Sequence, residues 1–95
     1  MNTHYRQGDI MLVAVHPSDM KKAIKGSKPK ADRTVALGEL TGHHHTFTEK
    51  KDDVQVFDTK DGMYLEVKSQ TADLTHQEHN TIKLPQGPWK VIRAR

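Results

Sequence analysis

The chain is 95 residues long, 34% hydrophobic and 28% charged, with a mean hydropathy of −0.81. That size fits one domain over 1–95 with a thin core, which makes association into a homo-oligomer a reasonable expectation. The formal charge is +3, the seven histidines make it sensitive to pH, and the absence of cysteine excludes disulfides and thiolate metal sites.

Tyr5-Arg6-Gln7-Gly8-Asp9 leads into the apolar run Ile10–Val15, whose length and β-branched content suit a strand buried on both faces. Gly8-Asp9 is a turn signal before it, and His16-Pro17-Ser18-Asp19 closes it. The next stretch, about 20–33, carries Lys21, Lys22, Lys25, Lys28, Lys30 and Arg33, broken by Gly26 and Pro29. It predicts one helical turn at Asp19–Ile24 and then a mobile basic loop. A solvated insertion is the plainer reading of that loop; an arm attracting phosphate is the other.

Thr34–Leu37 reads as a strand ended at Gly38, and His43–Glu49 as another. Alternation along the latter puts His43, His45, Phe47 and Glu49 on one face, so the two histidines point inward if Phe47 does. Val54–Phe57 and Met63–Val67 predict a hairpin around Thr59-Lys60-Asp61-Gly62, with Asp-Gly in the turn and Met63, Leu65 and Val67 facing the core. Ser69–Asp73 reads as polar linker. Thr75-His76-Gln77-Glu78 fits a capping box and hence a single helical turn. Thr81–Leu84 and Trp89–Ile92 read as two strands hinged at Pro85-Gln86-Gly87-Pro88. The expected fold is all-β: a small antiparallel barrel or sandwich of six or seven short strands with one basic loop.

Five histidines fall in two segments, Gly42-His43-His44-His45-Thr46-Phe47 and Thr75-His76-Gln77-Glu78-His79. Imidazoles two apart on a strand leave the same face, so His43 and His45 can converge on one ion. One or two of His76, Glu78 and His79 can complete the shell. Such nitrogen and oxygen donors suit a divalent transition metal: zinc, iron, nickel or manganese. Alternatively the histidines, with Arg6, Lys21, Lys22 or Arg33 nearby, grip a small anionic or phosphate-containing ligand such as a nucleotide, or act as acid and base on a phosphodiester. A third reading makes them polar groups bonded to backbone. No serine or cysteine nucleophile motif and no phosphate-cradling glycine loop is present, so catalysis would rest on metal-activated water or paired histidines.

Gly38-x4-His43-x-His45-x3-Glu49 resembles the first motif of cupins, whose His-x-His-x3-Glu supplies three of four metal ligands inside a small β-barrel, although the glycine sits one residue too close. Pro85-Gln86-Gly87 is similar to the Pro-x-Gly of the second cupin motif, but Trp89 and Lys90 stand where that motif implies a ligand histidine. Tyr5-Arg6-Gln7-Gly8-Asp9, Thr41-Gly42-His43-His44-His45, Leu74-Thr75-His76-Gln77-Glu78-His79 and Leu84-Pro85-Gln86-Gly87 together resemble short uncharacterised proteins of bacteria and their phages. That likeness implies a phage or mobile-element accessory role.

Among partners, nucleic acid ranks last, because the charge is modest and aromatics are 5% of residues. No apolar run approaches the ~20 residues of a membrane helix, and the first residues hold no apolar signal region. A cytoplasmic protein is the expectation.

Overall fold

The structure, a computed structural model, describes residues 4–35, 45–50 and 52–93. Its elements in order are β1 (His4–Gln7), β2 (Ile10–Ala14), α1 (Pro17–Ala23), β3 (Thr34–Val35), β4 (His45–Phe47), β5 (Val54–Thr59), β6 (Gly62–Thr75) and β7 (Ile82–Arg93). All seven strands join one antiparallel sheet in the order β1-β2-β7-β6-β4-β3, with β5 also paired to β6. The fold is therefore all-β and sandwich-like, and the described strands do not close into a barrel.

Fourteen-residue β6 is the hub. On one side it pairs with β7; on the other it pairs first with β5, through Gly62–Val67, and then with β4, at Leu74 and Thr75. The main core lies on one face, where Ile10, Leu12, Phe47, Leu65, Leu74 and Leu84 are almost wholly buried. Met63, Leu65 and Val67 point into it, as their alternation predicts. Tyr64 points the other way, and with Phe57 and Met20 it forms a second, smaller cluster beneath α1. The basic segment is thus less loop-like than its composition suggests: its helix seals the reverse face, and the Lys30 N–H bonds the Val56 carbonyl of β5.

Three local expectations are corrected. Ser69–Asp73 is not linker but part of β6, with a bulge between Val67 and Thr71 whose Lys68 and Ser69 N–H groups bond the Asp53 carbonyl. Residues 82–93 form one strand rather than two. Its prolines are tolerated because their backbone edges face away from β6: the Pro88 carbonyl accepts from Val15 N–H where β2 has ended, and the Pro85 carbonyl accepts from the Trp89 indole. In the β5–β6 hairpin the loop residues are Lys60 and Asp61, between the paired Thr59 and Gly62. No described residue other than glycine has positive φ, so the turn leaves that conformation to Gly62, at +127°.

The sheet curls enough for its edge strand to return to the hub. Gln7, at the end of β1, donates from its amide to the Leu74 carbonyl of β6 and to the Asn80 carbonyl. This closure positions the site.

Candidate functional site

The β1–β2 hairpin turns on two residues, Gly8 and Asp9, because Gln7 pairs with Ile10. Gly8 has φ +61°, and Asp9 keeps a negative φ, the pattern of a turn that wants glycine first. The turn lies against β4, where His45 and Phe47 are both buried, as strand parity predicts. Instead of an apolar neighbour, His45 meets the two polar residues that flank Gly8.

The hydrogen bonds of Gln7 assign one hydrogen of this ring. Both Gln7 Nε2 hydrogens are used, at 2.9 Å to the Leu74 carbonyl and 2.8 Å to the Asn80 carbonyl, so its oxygen faces His45 Nδ1 at 2.8 Å. A carboxamide oxygen only accepts, so Nδ1 carries the hydrogen. The other ring nitrogen, Nε2, lies 2.9 Å from Asp9 Oδ1. An ionised carboxylate also only accepts. The contact is therefore bridged by a proton carried on the imidazole or on the carboxyl. His45 is fully buried while the Asp9 side chain is 45% exposed, so the pair runs from core to surface.

Two further imidazoles complete the cluster. The His76 ring packs against His45 at a tilt, with centroids 4.5 Å apart, and His79 packs against His76 in the same way at the same distance. Residues 76–79 make a bend rather than the expected helical turn. The capping box does not form because Thr75 Oγ1 donates to the Thr46 carbonyl, and the N–H of Glu78 is taken by His76 Nδ1. The bend still brings His76 and His79 together.

The two histidine-bearing segments therefore meet, through His45, His76 and His79. His43, the other strand histidine in the expected site, lies outside the described residues. Glu78 is exposed in the same bend. Among the described residues, no three His, Asp or Glu side chains are already gathered around a metal-sized position. Lys21 and Lys22 lie on the exposed flank of α1, beyond the opposite end of β2 from Asp9. Arg33 precedes β3 and accepts from Phe47 N–H through its carbonyl; its Nε is buried with no hydrogen-bond partner among the described residues. Glu49, third ligand in the cupin-like motif, is occupied elsewhere: both carboxylate oxygens accept from Asp73 N–H. The residues that sequence reasoning missed are Gln7, Gly8 and Asp9, whose Gly-Asp pair announced a turn but not what the turn would touch.

Residues 6–94 match the family described as Domain of unknown function (DUF8820). The chain belongs to DUF8820. The match spans both histidine segments and the Gln7–Asp9 turn, so the whole cluster lies inside the DUF8820 domain. No curated protein and no solved structure matches the chain. Among the described residues, no helix of this DUF8820 domain is long and apolar enough to cross a membrane.

Proposed function

We propose that the histidine cluster is a divalent transition-metal site that binds a small ligand and supports metal-assisted hydrolysis. The observation that carries this reading is the Asp9–His45 contact, which sets an imidazole Nε2 and a carboxyl Oδ1 2.9 Å apart beside two further imidazoles. Gln7 plays the outer-shell part usual for a ligating histidine, taking the Nδ1–H and leaving Nε2 as the donor atom.

A small movement would admit a metal in place of the proton. With Zn–N and Zn–O bonds of about 2.0–2.2 Å, two ligand atoms of a tetrahedral ion lie roughly 3.3 Å apart. The present separation is 2.9 Å, so the Asp9 carboxylate need withdraw only by roughly 0.4 Å from a ring that cannot move. His79 and His76 stand beside this position, and Glu78 and His43 are further candidate donors. A bound ion would polarise a ligand oxygen or lower the pKa of a water molecule, the chemistry that a chain without a serine or cysteine nucleophile motif needs for hydrolysis.

The test is metal analysis of protein purified without an affinity tag, followed by zinc titration of chelator-treated protein. Stoichiometric metal and a rise in melting temperature with zinc are expected. Metal-free protein whose melting temperature ignores zinc, nickel and manganese would overturn the reading.

A further inference from the structure

Lys21, Lys22 and Lys25, on α1 and the turn that ends it, lie apart from the histidines and line a site of their own. Ser18, Lys21, Lys22 and Lys25 follow helical spacing over α1 and the turn that ends it, so they share the flank facing away from buried Met20. They line a cleft of about 420 Å³. Lys22 and Lys25 continue into a second cleft of about 370 Å³, whose far wall is the β5–β6 turn with Thr59, Lys60 and Asp61. At the other end, Ser18, Lys21 and Glu66 border a hollow of about 450 Å³ whose apolar wall is Pro17, Met20 and Ile24. The groove is thus cationic at one end, and at the other it is apolar with one carboxylate at its border.

Lys21, Lys22, Lys25 and Lys60 form no ion pair with a described carboxylate. In the cationic cleft three ammonium groups face one carboxylate, that of Asp61. An isolated exposed lysine holds a monoanion weakly, because water and salt screen the pair. Lysines converging from a helix flank and a hairpin turn act together only on a ligand carrying several charges along its length. We propose that this groove binds a small organic polyphosphate of the nucleotide class, with its phosphate chain at Lys22, Lys25 and Lys60 and its organic part on Pro17, Met20 and Ile24. The α1 cluster shares no residue with the main core, so this site is separate from the histidine site.

The experiment is calorimetric titration with ATP at low ionic strength, beside inorganic triphosphate and a single-stranded oligonucleotide. ATP is expected to bind more tightly than triphosphate. The double variant Lys25→Gln/Lys60→Gln should bind it at least about tenfold more weakly, with circular dichroism and zinc stoichiometry unchanged. Lys25→Arg/Lys60→Arg should retain binding, which separates charge from folding. Any of four results overturns the proposal: no binding of ATP at about 1 mM; equal affinity of the glutamine variant; triphosphate as tight as ATP; or an oligonucleotide that outcompetes ATP with affinity rising with length.

Discussion

The imidazole of His79 occupies the space where a β-carbon on Gly8 would stand: its Nε2 lies 2.5 Å from that position. Glycine is therefore favoured by its φ of +61°, and a β-carbon there would also push the exposed His79 ring aside. Gly8→Ala forces a left-handed conformation costing about 1–2 kcal/mol and pushes His79 away from His76. An unfolding free energy lowered by that amount in urea denaturation, together with loss of the ring-current shift between His76 and His79, is the expected outcome. An unaltered midpoint would show that the turn and ring do not meet.

Gln7 is the polar residue on which the closure of the curled sheet depends. Gln7→Leu keeps the bulk but deserts the His45 Nδ1–H and the Leu74 and Asn80 carbonyls. An unpaired buried polar group costs about 1–3 kcal/mol. Allowing for water reaching Asn80, the loss should be about 3–5 kcal/mol, a large share of a domain's usual stability of about 5–15 kcal/mol. Equilibrium denaturation measures it, and a loss under about 1 kcal/mol would contradict the assigned network.

These two residues mark the limit of what the sequence discloses. Parity along His45-Thr46-Phe47 is a local rule, and the burial of His45 follows from it once Phe47 is placed in the core. The same holds for Met63, Leu65 and Val67. The meeting of His45 with Gln7 and Asp9 depends instead on how far the sheet curls, which no short window encodes. The capping box at Thr75 misled for a related reason: its hydroxyl found a tertiary acceptor on Thr46, which displaced the local one. Likewise Ser69–Asp73 looked like linker because a bulge exposes its polar residues, although the backbone remains in the ladder. The paired prolines suggested a break, yet their backbone edges face away from β6, where no ladder N–H is needed.

Lys83 gives an alkaline signature. Its ammonium lies 2.9 Å from Asp73 Oδ1, and the hydrogen bond and charge of that carboxylate raise its pKa above the ordinary 10.5. Because the folded state holds this proton more tightly, the contribution is complete below pH 10.5 and disappears as pH climbs through the raised value. Both side chains are exposed, so the effect is small. Asp73→Asn should flatten the fall in melting temperature above pH 10.5. An identical alkaline limb in the variant would remove Lys83 as its source.

Asp9→Asn separates the proton from the metal at the centre of the cluster. An asparagine amide can donate to His45 Nε2 while Gln7 keeps the Nδ1–H, so the variant satisfies the ring without a shared proton. Apo stability should then stay within about 1 kcal/mol of the parent. The anionic ligand is lost, however, and a tenfold weaker affinity for zinc removes about 1.4 kcal/mol of zinc-induced stabilisation. For a domain of this size that corresponds to a zinc-dependent rise in melting temperature smaller by roughly 6–11 °C. Acidification should mimic the variant, because protons compete with the metal for imidazole nitrogen and carboxylate oxygen. Should zinc stabilise Asp9→Asn as strongly as the parent, Asp9 is not a ligand, and the cation between it and His45 is a proton alone.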